Sequence, residues 1–301
     1  AFSGWFGGES SGDRWWRNRG GWLPDAVLTV GAPPMSKALR NGLQKAGARH
    51  IHIGPSPLDF LDRLEHLDVE DPIAALDELV AALAPMELPK FVQPLASNVA
   101  PIQGVLTDYK VYAAVAGALE EGSVVHAANS TSARYVQLVD WRASRLHANR
   151  GVAGIDGCTS TAVGEALANR AVPVVLISGD LAFLYDLNGL WVDPEPTNLR
   201  VVVIDNGGGA IFRWIDGPKE SGLLSRYFEG GECRTDSAGG RRSIEQAVNS
   251  VGGQCLHALS EKELVNGVKW LFDGTQEGVK VLCVHTDAEA SDREHKQLLG
   301  E

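Results

Sequence analysis

Two short, unbroken apolar runs constrain this chain more than anything else in it: Val174-Val175-Leu176-Ile177-Ser178, and Leu199 to Asp205 centred on Val201-Val202-Val203-Ile204. A strand with one wet face alternates apolar and polar residues, whereas runs like these have no polar face and need cover on both sides. Pro173 opens the first run, at a strand start where a missing N–H is tolerated. Between the runs lies one helix's worth of chain, Leu181 to Val192, closed by Pro194 and Pro196. Strand, helix and strand of this kind predict a parallel βαβ unit, and open parallel sheets bind ligands beyond the carboxyl ends of their strands.

The first run ends in Gly179-Asp180 and the second in Asn206 followed by Gly207, Gly208 and Gly209. Asp180 and Asn206, 26 positions apart, are therefore expected on one rim. A carboxylate, an amide oxygen and a freed carbonyl in the glycine turn, assigned to Gly208, are hard oxygen donors of the kind magnesium takes beside substrate phosphate. Glycines also let bare N–H groups approach an anion closely. These residues read as a metal–diphosphate site, and the alternative reading is ordinary turn chemistry at two strand ends.

A length of 301 residues allows two domains, each able to bury a core. No apolar run approaches the roughly 20 residues of a membrane span, and a net charge of −11 argues against a nucleic-acid partner. Anionic ligands would need local arginines, lysines and helix N-termini. The four cysteines are scattered without a C-x-x-C pair and read as free thiols of a cytoplasmic protein; the eight histidines show no metal-ligand spacing and read as structural or surface residues. No export signal is visible at the start of the chain.

Residues 1–24 are Gly- and Trp-rich and fit no period, as an exposed peptide ordered by a neighbour or an altered start would. A small α/β domain is expected over 25–96, with strands at 26–30 and 50–53, a helix over 36–46, and an amphipathic helix over 72–83 that aligns Ile73, Leu76, Val80 and Leu83. A proline-bearing stretch, 84–108, leads into a second domain over 97–301. This one begins with a helix over 109–119 and a strand over 123–127, which ends in Ala128-Asn129-Ser130 with Arg134 shortly after. A strand at 146–148 leads into Asn149-Arg150-Gly151 and a dense turn, then a helix over 159–169. Arg134 and Arg150 each follow a strand end, so both are expected over the rim of Asp180 and Asn206, where a planar guanidinium suits carboxylates. The loop from Arg213 to Arg242 is long enough to cover a site. Helix 244–251, strand 254–259, helix 261–273, strand 279–285 and a short polar helix close the domain.

The pairing of Gly179-Asp180 with Asn206 resembles the thiamine-diphosphate-binding motif, with Leu181 in place of its usual third glycine. Together with Leu184-Tyr185-Asp186-Leu187-Asn188 and Asn206-Gly207-Gly208-Gly209-Ala210-Ile211-Phe212, it is similar to one branch of that superfamily, the menaquinone-pathway MenD family. Asn149 to Gly157 resembles a second motif of that family, departing from it at Val152 and Ala153; the serine hydroxyl expected at Ala153 is absent. Gly31 to Leu39 resembles the start of the family's middle domain more loosely. The resemblance spans about residues 25 to 300 and implies a middle and a diphosphate-binding domain, both doubly wound parallel-sheet α/β domains.

It also implies thiamine diphosphate with Mg2+ or Mn2+, the metal held by Asp180, Asn206 and Gly208, and the cofactor by Asn129, Ser130, Ile155, Gly179, Asp180, Leu181 and Gly208. Ile155 would prop the cofactor in its bent form, or be one more buried apolar residue. Arg134, Arg150, Ile211, Phe212 and Lys37 would meet substrate, although Ile211 and Phe212 also read as the start of a core-facing helix and Lys37 as a solvated lysine. The implied activity is decarboxylation of 2-oxoglutarate and addition of the succinyl-semialdehyde carbanion to isochorismate, both substrates being dicarboxylates. The family's catalytic glutamate sits on an N-terminal pyrimidine-binding domain, so this chain alone is expected to be inactive. The implied assembly is a homodimer or homotetramer with sites shared between subunits. Two other readings stand beside this one: a non-catalytic Mg–diphosphate-binding module, and another thiamine-diphosphate-dependent 2-oxoacid decarboxylase or lyase.

Overall fold

The computed structural model describes residues 23–30, 37–57, 59, 61–82, 102–139, 141, 143, 145–149, 153–215, 217–229, 244–274 and 278–299. The chain divides into two compact units, Ala1–Asn98 with Leu299–Glu301, and Val99–Leu298. The described residues are mixed α/β, with two sheets that are parallel throughout, one in each unit.

In the first unit, β1 (Ala26–Val30), β2 (Arg49–Ile53) and β3 (Leu64–Leu67) pair in that order, with α1 (Lys37–Ala46) as the first crossover. Leu39, Leu43 and Leu61 are buried together with Val27 against them. The sequence reading misses β3, whose Leu-Glu-His-Leu is short; Arg49 on β2 binds Glu65 on β3 through two hydrogen bonds of 2.9 and 2.8 Å across the pair. The amphipathic helix is α2 (Pro72–Ala82), but Ile73 of its expected apolar face is 60% exposed and Leu76 only half-buried. The described part of this unit gives Ile73 no cover.

In the second unit, β4 (Val124–Ala127), β5 (Arg145–Ala148), β6 (Val174–Gly179), β7 (Leu199–Asp205), β8 (Gln254–Ala258) and β9 (Lys280–His285) form one sheet in the order β5-β4-β6-β7-β9-β8. Both long apolar runs lie in its middle, which explains why neither alternates. On one face Val175, Ile177, Val202 and Ile204 pack with Val111 and Val115 of α3 (Asp108–Ala118). Leu264, Val268 and Leu271 of a later helix, Glu261–Phe272, join that layer. On the other face Val174, Leu176, Val201 and Val203 pack with Ala162, Val163 and Ala166 of a helix over Cys158–Ala168, with Phe183, and with Val248 of Ile244–Ser250. A fully buried aliphatic side chain contributes about 1.5–3 kcal/mol, so cover on both faces commits these runs to the sheet centre.

In chain order the second unit's helices are α3, α4 (Ser132–Tyr135), α5 (Cys158–Ala168), α6 (Asp180–Tyr185), α7 (Ile244–Ser250), α8 (Glu261–Phe272) and α9 (Ala288–Leu299). Helix α8 starts at a reciprocal cap: Glu263 N–H donates to Ser260 Oγ at 3.3 Å, and Leu259 N–H donates to Glu263 Oε2 at 2.7 Å. The single helix expected over 181–192 is instead α6 and a separate 3-10 turn, Leu187–Leu190. Asp186 at the break accepts from Ser160 N–H at 2.7 Å and Ser160 Oγ at 2.8 Å. Gly189 approaches α5 so closely that a Cβ there would lie 2.9 Å from the Ser160 nitrogen. Docking on α5 therefore bends a segment whose own pattern reads as one helix.

Candidate functional site

Because the six strands run parallel, their carboxyl ends form one rim, and the chain passes from β4 to β5 on one side and then crosses back to β6 on the other side of β4. The register sets Gly179 of β6 opposite Ile204 of β7, so Asp180 and Asn206 leave adjacent strands within about one residue of each other. Asp180 is 2% exposed and opens α6, where a carboxylate complements the helix dipole; its Oδ1 accepts from Leu181 N–H at 2.7 Å. Gly207, Gly208 and Gly209 follow with φ of 92°, 81° and 65°, three consecutive left-handed positions. At Gly209 a side chain is also excluded by space, since a Cβ would sit 1.9 Å from the Phe228 carbonyl oxygen.

The side chain that orients Asn206 gave no functional signal in the sequence. Asn206 Nδ2 donates to Asp108 Oδ2 at 2.9 Å, which turns the amide oxygen to the opposite edge of the group. Asp108, in the first turn of α3 and 1% exposed, also accepts from Thr286 Oγ1 at 2.6 Å and Ser291 Oγ at 3.2 Å. Burial pushes its carboxyl upward from the usual carboxylate range, and the donors from Thr286, Asn206 and Ser291 oppose that shift. Thr107-Asp108 reads in sequence as a plain helix start, and 98 residues separate Asp108 from the amide it holds.

Asn129 and Ser130 lie at the β4 end, beside β6. Asn129 is buried and donates from Nδ2 to Gly154 O at 3.0 Å, tying that end to the turn of the second motif; Ser130 takes φ of 70°. Arg134, half-buried on α4, donates from Nη1 to Ser130 O at 2.7 Å and so stays with this part of the rim. Ile155 packs, partly buried, with Ala128 after β4, Cys158 of α5 and Ala182 of α6. It thus stands between the ends of β4 and β6, where the sheet order switches direction. Ala153 adopts φ of 62° in the same turn.

Ile211 and Phe212 are half-buried in a 3-10 turn, Ala210–Arg213, that directly follows the glycines, so they start a short turn rather than a core-facing helix. The described part of the expected cover loop folds back onto them. Phe228, in a helical turn over Leu224–Phe228, packs on Phe212 with ring centroids 5.0 Å apart, and Arg213 pairs with Glu229. Residues 230–243 lie outside the described residues, as does Arg150. Lys37 opens α1 in the other unit, and its side chain is likewise outside them. The rim of the second unit therefore collects Asn129, Ser130, Arg134, Ile155, Asp180, Asn206 and Gly208 around neighbouring strand ends, and leaves Lys37 and Arg150 unplaced.

The donor set fits a hard divalent cation beside an anion: a buried carboxylate, an amide whose nitrogen edge is held by Asp108, and a turn of left-handed glycines. Among the described residues, no helix is long and apolar enough to cross a membrane.

No protein-family model matches the chain. Individual relatives do. The chain is 33% identical over 269 residues, 88% of its length, to a 2-succinyl-5-enolpyruvyl-6-hydroxy-3-cyclohexene-1-carboxylate synthase of Desulfotalea psychrophila, and covers 48% of that protein. Over 124 residues it is 42% identical to the synthase of the same description from Christiangramia forsetii, and 44% identical to that from Flavobacterium johnsoniae. Those two matches take in 41% of this chain and 21% and 22% of the respective relatives. The chain spans at most about half the length of these curated relatives, and over that span it is a relative of the 2-succinyl-5-enolpyruvyl-6-hydroxy-3-cyclohexene-1-carboxylate synthases.

Proposed function

We propose that this chain carries the metal–diphosphate half of a thiamine-diphosphate-dependent site, and that the completed site makes 2-succinyl-5-enolpyruvyl-6-hydroxy-3-cyclohexene-1-carboxylate from 2-oxoglutarate and isochorismate. The observation that carries this reading is the engagement of Asn206: its amide Nδ2 donates to Asp108, which leaves the amide oxygen for a cation, and the strand register brings Asn206 within about one residue of Asp180. Asp180, Asn206 and the carbonyl of Gly208 would hold Mg2+ or Mn2+. Gly179, Leu181, Asn129 and Ser130 would border the cofactor, and Ile155 would set its bend. When bound, thiamine diphosphate supplies a carbon nucleophile that stabilises the charge left by decarboxylation.

The chain's own contribution is positioning and charge. Buried Asp180 gives a fixed anionic ligand, and Asp108 keeps Asn206 from rotating its donor edge toward the metal. Arg134, held at the rim by Ser130, and Arg150 would bind the substrate carboxylates in bidentate fashion. Ile211 and Phe212 would line the pocket's apolar wall, and Lys37 would add a further cation for substrate. The acid that promotes cofactor tautomerisation is expected on a pyrimidine-binding domain, so the 301 residues alone are inactive on this reading. The site would be shared between subunits of a cytoplasmic homo-oligomer.

Calorimetric titration with thiamine diphosphate and Mg2+ tests the half-site: Asp180→Ala should abolish metal-dependent binding. Binding as tight as the parent's would overturn the metal assignment. Mixing the chain with a separately expressed pyrimidine-binding domain tests the reaction. Carbon dioxide release from 2-oxoglutarate in preference to pyruvate is expected, and preference for pyruvate would assign the site to another 2-oxoacid enzyme.

A further inference from the structure

A second group of donor atoms lies on the α7-covered face of the large sheet. His257 of β8 stands opposite Cys283 of β9, and His285, two residues on, stands opposite Asp205 of β7. Side chains two apart along a strand share a face, so all four point the same way. His257 Nδ1 and His285 Nε2 face each other at 2.8 Å, with the rings nearly coplanar at 15°. Cys283 Sγ lies 4.0 Å from His285 Nε2, and the sulfur and both nitrogens fall within 4.8 Å of one another.

The outer nitrogens of both rings face carboxylates, and that of His257 also lies 4.0 Å from Cys255 Sγ. His285 Nδ1 is 3.2 Å from Asp205 Oδ2, and His257 Nε2 is 3.7 Å from Glu245 Oε2 on α7. A carboxylate favours a proton on the nitrogen it faces. Were both outer nitrogens to carry the protons, the two inner ones would present lone pairs to each other, an approach that a bound cation would stabilise. A shared proton would satisfy the imidazoles alone. Cys283, buried and aimed at the same point, adds a soft third donor that a proton does not need.

We propose that His257 Nδ1, His285 Nε2 and Cys283 Sγ form a binding site for a zinc-type divalent ion, with Asp205 and Glu245 orienting the two imidazoles. Two imidazoles and a thiolate suit zinc far better than magnesium or calcium. Zn–N bonds of about 2.0–2.1 Å and a Zn–S bond of about 2.3 Å set the nitrogens roughly 3.3 Å apart and the sulfur roughly 3.6 Å from each in a tetrahedral site. The rings would therefore part by about 0.5 Å, and the thiolate would close in by about 0.4 Å on His285 and by up to about 1.2 Å on His257. Binding deprotonates the Cys283 thiol and releases that proton to solvent. His257 is part-exposed on the edge strand, which leaves solvent a route to the site and a water for the fourth position. An ion held here would tie the edge strand β8 to β9.

The site is independent of the metal–diphosphate reading, and cobalt separates the two because only a thiolate ligand gives an intense near-ultraviolet charge-transfer band. Titrating the untagged, chelator-stripped chain with Co2+ should develop that band with visible d–d bands at one equivalent, displaced by Zn2+ and untouched by excess Mg2+. Cys283→Ser should abolish the charge-transfer band, and His257→Gln should weaken Co2+ binding roughly 10- to 100-fold or more. Cys255→Ser and Cys233→Ser should leave the spectrum unchanged. His257 lies on an edge strand and is part-exposed, so its variant keeps the test alive if Cys283→Ser misfolds. Absence of a thiolate band in the parent chain, or its survival in a folded Cys283→Ser variant, would overturn the proposal.

Discussion

Asp108→Ala is the sharpest probe of how the rim is built, because it leaves every proposed metal ligand in place and removes only what orients one of them. The carboxylate accepts from Asn206, Thr286 and Ser291 at 2.9, 2.6 and 3.2 Å. Alanine would leave the Asn206 amide without its acceptor, while the two hydroxyls can rotate toward other oxygens; Ser291 Oγ already reaches Asp287 O at 2.7 Å. A buried donor stripped of a charged acceptor costs about 1–3 kcal/mol. Part of that is returned, because a carboxyl whose ionisation burial already disfavours is gone. Asn206 is part-buried, so the expected loss of stability is about 1–2 kcal/mol, measured by urea unfolding. Metal-dependent cofactor affinity should fall roughly 10- to 100-fold, the usual effect of losing a group that orients a ligand. Asp108→Asn keeps an acceptor oxygen for Asn206 and should recover most of the affinity. Calorimetry with Mg2+ and thiamine diphosphate on the folded variants decides the matter. Parental affinity in Asp108→Ala would refute the claim that this bond presents the Asn206 oxygen.

Gly209→Ala should destabilise the chain by more than about 2 kcal/mol, because a left-handed alanine costs roughly 1–2 kcal/mol and its Cβ would also strike the Phe228 carbonyl. Gly207→Ala, with φ of 92° but open space, should cost only the backbone strain, and equal urea midpoints for the two variants would contradict the close approach. Arg134→Ala should spare cofactor binding and weaken 2-oxoglutarate or isochorismate recognition roughly 10- to 100-fold in an assembly that includes the pyrimidine-binding domain, as loss of a charge-assisted pair predicts; unchanged kinetic constants would remove Arg134 from the substrate site. His295, stacked on Trp214 with centroids 3.8 Å apart, has its pKa pushed down to about 4, by burial above all. The unfolded chain takes up that proton below about pH 6.5 and the folded chain does not, so stability should be unaffected above that pH and fall by up to about 3 kcal/mol as pH drops toward 4. His295→Gln should flatten the pH dependence of the urea midpoint across that window, and an unchanged slope would argue against a neutral buried His295.

Local pattern was enough to determine the centre of the second sheet and the residues at its rim. Runs such as Val201 to Ile204 have no polar face, so they can only be strands covered on both sides, and whatever follows such strands must emerge at one edge. That is why Asp180, Asn206 and the glycines were legible as a group before any coordinates. Segments whose neighbours set their shape were not legible. The helix expected over 181–192 breaks at Asp186 because Ser160, 26 residues earlier in the chain, binds its carboxylate, and β3 exists because β2 offers it an edge. Polar partnerships over long separations were hidden for the same reason. Asp108 reaches Asn206 because α3 and β7 meet in the folded unit, and His257, Cys283 and His285 converge because β8 and β9 run side by side at the sheet's edge. Periodicity and turn chemistry act over a few residues and are written into the chain itself, whereas the pairing of side chains from different strands exists only once the sheet has fixed which strands are neighbours.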